Sequence, residues 1–241
     1  LYDDKPTPIW PYQEEINEPY GQHRGLIALG LFESEEDITN SPLQTFDNPV
    51  VGDIKYKDIN GDGIIDDFDR VAIGYTSIPE INYGFGLSAG WKGFDLSLFF
   101  QGVDHVSRMI SGGPIFGSGG SILVNGQIYA DVAKNRWTLQ NPDPNAKYPR
   151  LSMLDKSNNK QFSTYWLRDM SYIRLKNAEF GYTIPKNISG RMGLSSMRLY
   201  LQGINLLTFA KFKLWDPELD TGDGGTYPNM RTISVGLNIN F

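Results

Sequence analysis

Six residues in the first third of the chain carry the chemistry that can be read from sequence alone. Asp58, Asn60 and Asp62 alternate with other residues, Gly63 and Ile64 follow, and Asp66 and Asp69 close the run. This spacing wraps a chain around one hard cation. The side chains at the three alternating positions point oxygen donors inward, and Gly63 takes the sharp bend. Ile64 offers its backbone carbonyl, Asp66 reaches the ion directly or through water, and Asp69 stands where the standard loop has Glu. Four carboxylates this close repel one another unless a cation sits among them. The expectation is therefore one structural Ca2+ held by Asp58, Asn60, Asp62, Ile64, Asp66 and Asp69. The competing reading is an Asp/Asn/Gly turn that satisfies its own backbone without metal.

The flanks of this loop are not helical. Upstream, Val50, Val51, Ile54 and Tyr56 lie among Gly and Lys with no helical face. Downstream, Arg70 to Ile73 run into Gly74 and then Pro79, too short for a helix. An EF-hand sets its loop between two helices; here the same letters predict an EF-hand-like loop (58–69) without them.

Composition excludes several classes. The 241 residues carry a formal charge of -6, so a nucleic-acid partner has no electrostatic support. The chain has no cysteine, which removes disulfides, thiolate metal sites and a Cys nucleophile. His23 and His105 lie far apart, outside any metalloprotease spacing. The acid pairs Glu35–Glu36 and Asp66–Asp67 are adjacent and point apart, which suits no glycosidase, so the chain reads as a non-enzyme. No run of eighteen apolar residues predicts a transmembrane helix. A membrane-crossing strand needs only about 9–11 alternating residues. Leu1 begins the sequence without Met or a signal peptide, and the chain reads as a piece of something longer.

Along the chain, Leu1 to Tyr20 is aperiodic loop. Leu26 to Phe32 is apolar on both faces, as for a short strand covered on both sides. Ser34 to Ile38 opens like a one- or two-turn helix capped by Ser34. From Ile81 the pattern changes to strict alternation. Tyr83, Phe85, Leu87, Ala89 and Trp91 share one face against Asn82, Gly84, Gly86, Ser88 and Gly90. Lys92–Gly93 makes a two-residue turn. Phe94, Leu96, Leu98 and Phe100 answer across it. Gly-rich (112–120) and Pro/Asn-rich (141–149) stretches read as loop. Strands return over 172–184, with a bulge near Lys176–Asn177 where the parity slips, and over 196–207 and 231–241.

The last strand decides the class. Ile233, Val235, Leu237, Ile239 and Phe241 alternate with Ser234, Gly236, Asn238 and Asn240. Large apolar residues against small polar ones suit a wall between lipid and a wet lumen. Turns alternate short and long, which places Lys92–Gly93 and the C-terminus in the periplasm and the calcium loop outside the cell. Its apolar parity up to Phe241 looks like a barrel-insertion signal. Five strands (81–91, 94–102, 172–184, 196–207, 231–241) cannot close a barrel. The predicted fold is all-β: a sector (81–241) of a large antiparallel transmembrane β-barrel with long extracellular loops. Residues 1–80 form an extracellular loop region that contains the calcium loop.

Several stretches resemble the C-terminal part of the SusC/RagA-like TonB-dependent outer-membrane transporters of Bacteroidetes. They are GDIKYKDINGDGIIDDFDRVAIG, YGFGLSAGWKGFDLSLFFQGV, NRWTLQNPDPNAKYPRLS, YWLRDMSYIRLKNAEFGYTIP, LQGINLLTFAKF, WDPE and SVGLNINF. The resemblance implies a plugged 22-stranded barrel that imports glycan or peptide fragments. It implies a SusD-like surface lipoprotein as partner, outer-membrane lipid around the wall, and drive from the TonB complex through an N-terminal part that this sequence lacks. The alternative is a secreted β-rich calcium module, dockerin-like or glycan-binding, which a detergent requirement would exclude. Trp137, Tyr148, Tyr165, Trp166 and Trp215 lie in or beside the long loops, where packing competes with sugar stacking.

Overall fold

A computed structural model describes residues 9–117 and 127–241. The loop readings of residues 1–8 and 118–120 lie outside them. The chain divides into two compact units. One comprises the residues up to Ile78 with Ser107–Asp169 and Asp220–Gly225, and the other Pro79–Val106, Met170–Leu219 and Thr226–Phe241. A single division at residue 80 does not reproduce this, because the long loops after that point cluster with the early residues.

In chain order the strands are β1 (Arg24–Gly25), β2 (Ala28–Leu31), β3 (Leu43–Gln44), β4 (Ile54–Tyr56), β5 (Ile64–Ile65), β6 (Val71–Ala72), β7 (Ile81–Trp91), β8 (Phe94–Asp104), β9 (Ser107–Met109), β10 (Leu167–Asp169), β11 (Tyr172–Thr183), β12 (Ser196–Ala210) and β13 (Thr232–Asn240). The five long ones form one antiparallel sheet in the order β13-β12-β11-β8-β7. Its bounds differ from the expected strands by a few residues. Cross-strand pairing carries β8 on to Asp104, opposite Ile81, and β12 on to Ala210, opposite Tyr172.

Local chemistry explains the sheet. Lys92 and Gly93 both take positive φ (49° and 88°), the two-residue turn whose twist matches the strands it joins. The register shifts between Leu175 and Asn177 against both neighbours, where the parity of the sequence slips. On one face, Phe85, Leu87, Phe180, Leu199, Phe209, Val235 and Leu237 stand about half exposed or more. On the other, Ser88 and Ser97 face each other with hydroxyls 3.4 Å apart. A continuous apolar face of this extent marks contact with something other than water.

The first unit buries a core of its own. Leu26, Ile54, Tyr56, Ile65, Tyr148 and Trp166 are at most 1% exposed. Its strands are too short to supply the order, so side chains complete it. The Gln44 amide donates to the Ile54 carbonyl at 3.0 Å and accepts from the Tyr56 N–H at 2.7 Å. The Asn159 side chain accepts from the Ile54 N–H at 2.9 Å, and Asn158 donates to the Ile54 carbonyl at 2.9 Å. The free edge of β4 is thereby paired by amide side chains, which meets the demand of buried backbone groups.

Two local readings meet different ends. Helix α1 (Glu35–Thr39) is capped by Ser34, whose hydroxyl accepts from the Asp37 N–H at 3.1 Å, as its sequence predicts. The stretch from Leu26 to Phe32 is not one strand covered on both sides. Leu26 and Phe32 are buried, but Leu29 is 56% exposed, and β2 pairs with β4 across a register shift.

Candidate functional site

The Asp/Asn-rich loop 58–69 lies between β4 and β6. Gly61 and Gly63 take φ of +78° and +83°, conformations that favour glycine, and so bend the chain where the spacing requires. The side-chain oxygens turn onto backbone amides. Asp58 accepts from Gly61 N–H at 2.6 Å and Gly63 N–H at 2.9 Å. Asn60 accepts from Asp62 N–H, and Asp62 from Ile64 N–H at 2.8 Å. Asp66 caps the short 3-10 turn Asp67–Asp69 by accepting from Phe68 N–H at 2.7 Å.

Asp69 differs from the others. It is fully buried, with one oxygen on the Ile59 and Asn60 amides (2.7 and 3.4 Å) and the other on Asp66 N–H at 3.0 Å. Ile64 sits in β5, paired in parallel with Leu43 of β3. The donor set of Asp58, Asn60 and Asp62 is all oxygen and fits a hard cation such as Ca2+. Among the described residues, however, no three acidic or histidine side chains stand close enough to hold a metal as they are. The loop's negative field is nevertheless felt nearby. The Tyr12 phenol, which donates to the Phe68 carbonyl at 2.8 Å, is held above its ordinary range by burial and then by Asp69, Asp62, Asp58 and Asp66.

The loop aromatics are packing residues. Trp137 (5% exposed), Tyr148 and Trp166 are buried in the first unit. Trp166 takes Phe116 and Tyr165 edge-on, both with ring centroids 5.2 Å away, and its indole N–H donates to the Asn159 carbonyl at 2.7 Å. The Tyr148 hydroxyl donates to Asp131 at 2.6 Å. No stacking platform for sugars is built from these three. Trp215 packs edge-on to Phe212 in the second unit.

Two ion clusters on the polar face of the sheet escaped the sequence reading. Arg198 on β12 reaches Asp95 on β8 with Nε at 3.1 Å and with Nη2, and Glu179 on β11 at 2.6 Å, spanning three strands. Arg174 on β11 joins Asp216 and Glu218, beyond β12. The partners are far apart in sequence: strand register brings Arg198 to Asp95 and Glu179, and the turn beyond β12 brings Asp216 and Glu218 to Arg174. Alternation puts Asp95, Arg174, Glu179 and Arg198 on the polar face, which was the one signal available.

These features define a class: a sector of antiparallel barrel wall, apolar outside and polar inside, with a separately packed body of loops. No protein-family model matches the chain. It is 36% identical to TonB-dependent receptor P26 of Formosa agariphila over 90% of its own length and 22% of the receptor's. It is 31% identical to TonB-dependent receptor P3 of the same organism, over 93% of this chain and 22% of that one. The chain thus spans about a fifth of the length of these curated relatives. Among solved structures, that of the RagAB peptide transporter superposes with a TM-score of 0.65 at 23% identity, over 91% of this chain and 22% of that one. The RagAB peptide importer in its open-open state gives 0.62 at 22% identity, with the same coverage. The chain is thus similar to part of the TonB-dependent receptors, and it shares the fold of part of the RagAB structures.

Proposed function

We propose that the chain is the C-terminal portion of a SusC-like TonB-dependent importer in the bacterial outer membrane. The observation that supports this most is the five-stranded sheet, with its half-exposed apolar face and its opposite face of Ser, Gly, Asn and ion pairs. In this reading the apolar face meets lipid and the polar face lines the path of the solute. The whole protein imports peptide or glycan fragments together with a SusD-like surface lipoprotein, and TonB drives it through regions outside this chain. The solved neighbours are named for a peptide importer, which favours peptides. Lys92–Gly93 and the C-terminus face the periplasm, and residues 1–80 lie outside the cell.

The test is import by the full-length protein in its own membrane. Uptake of labelled oligopeptides should vanish on loss of either the transporter or TonB, and the lipoprotein should copurify. Uptake that persists without TonB would refute the reading.

The same proposal includes one calcium on the external loop, supported by the spacing of Asp58, Asn60, Asp62 and Asp66 and by the two positive-φ glycines. Asp69 then serves as the buried brace behind the ion or turns to meet it. In the full-length protein, Asp58→Ala with Asp62→Ala should leave the barrel inserted but make residues 58–69 protease-sensitive in calcium. Equal protease resistance of wild type in calcium and in chelator would remove the metal from the account.

A further inference from the structure

The polar face of the sheet is not open along its whole length. Arg174 lies on that face. Its neighbours Ile173 and Leu175 pair with Phe209 and Leu207, which are 57% and 51% exposed on the apolar side. Arg174 itself pairs with Gln101 and Thr208 and is 1% exposed. What meets its guanidinium is segment 212–219, which follows β12. Nη2 lies 2.5 Å from Asp216 and Nη1 lies 3.1 Å from Glu218.

The segment is shaped to stay there. Asp216 also accepts from Glu218 N–H at 3.0 Å, so the two acids are set at one spacing by their own turn. Glu218 accepts from Asn229 at 2.8 Å, which ties in the chain before β13. Phe212 packs edge-on to Trp215 at 4.8 Å, and Phe212 and Leu219 are buried. Tyr172 lies under the guanidinium at 5.2 Å. A planar fork can bridge two acids at once, whereas an ammonium cannot. A buried charge that loses its partners destabilises the arrangement strongly.

We propose that Arg174 is a positioning residue that pins segment 212–219 across the polar face, so that the segment limits the size of solute that the path admits. This rests on the import reading, in which the polar face lines the path. The exposed Lys213 gives a reporter on the segment itself. In the full-length transporter in outer membranes, Lys213→Cys is labelled with a bulky, membrane-impermeant maleimide, and import is measured for peptides carrying polymer tags of graded size.

Arg174→Ala should raise the labelling rate about tenfold and admit larger conjugates, while Arg174→Lys falls between it and wild type. Should Arg174→Ala fail to insert, Asp216→Asn with Glu218→Gln tests the same contact from the segment's side and should behave like it. Inserted variants with unchanged labelling would overturn the pinning. Faster labelling with an unchanged size limit would overturn the role in selection. If wild type does not import even the untagged peptide, the import reading fails, and the labelling rates still decide whether Arg174 pins the segment.

Discussion

Trp166 and Leu199 are both large apolar residues, yet Trp166 is fully buried and Leu199 is 51% exposed. They stand for two different solutions in one chain. The first unit folds as a water-soluble body would, with aromatic and aliphatic side chains inside and its short strands completed by Gln44, Asn158 and Asn159. The second has one long sheet with most of its large apolar residues on one face, while its ion pairs, with Phe99 and Tyr200, sit on the opposite face. The difference follows from the solvent each is built for. In water, burial of apolar area drives packing. In lipid the apolar face needs no cover, and what must be satisfied is the backbone, which the continuous ladders accomplish.

The largest expected effect comes from breaking the first kind of packing. Trp166→Ala removes a fully buried ring together with the donor to Asn159, and should cost the first unit about 3–5 kcal/mol. Loss of ordered amide exchange protection around residues 148–166 in the detergent-solubilised protein would show it. Protection equal to wild type would mean that the core does not depend on Trp166.

Next in size is a pair of matched substitutions. Leu199→Arg places a charge on the apolar face of the wall and should cost about 2–4 kcal/mol if it lies near the middle of the bilayer. Leu139→Arg, at an 80% exposed site in the first unit, should change stability by no more than about 0.5 kcal/mol. Urea unfolding in vesicles measures both. Equal costs at the two sites would erase the distinction between the units.

How much of this was legible in the sequence depends on the distance over which residues cooperate. The wall strands were readable because period-two alternation persists over nine or more residues, and the bulge near Lys176–Asn177 because parity slips within one strand. The 58–69 loop was legible as a run of Asp, Asn and Gly, but its geometry was not. Nothing in the spacing reveals that Asp69 is buried against the Ile59 and Asp66 amides. The core of the first unit was mostly invisible, since its order comes from side-chain amides reaching β4 across as many as 105 positions. The Arg198 and Arg174 clusters were hidden for a related reason, because their partners are set by register and by a turn beyond the strand.

The smallest expected effect sharpens the contrast at the surface of the first unit. The Lys55 ammonium, 2.6 Å from Asp37, lowers the Asp37 carboxyl below its ordinary value. A depressed carboxyl stabilises the fold above its unfolded pKa, and that contribution is lost as pH falls through the folded value. The pair is partly exposed, so Asp37→Asn should cost well under about 1 kcal/mol at neutral pH and nothing in strong acid. Unfolding of both proteins across that acid range measures this. A cost that stays constant down to low pH would point to the hydrogen bond that the Asp37 side chain accepts from the Glu33 N–H instead of the ion pair.

The claim that carries the whole account is that alternate residues of one strand face lipid and water. Single cysteines placed at 197 through 202 on β12, in a cysteine-free background of the full-length protein in bilayers, can carry spin labels. Their accessibility to oxygen and to a water-soluble nickel complex reads the two environments. The account predicts that labels at 197, 199 and 201 favour oxygen and that labels at 198, 200 and 202 favour nickel. Nickel access at all six positions, or no alternation between them, would contradict it.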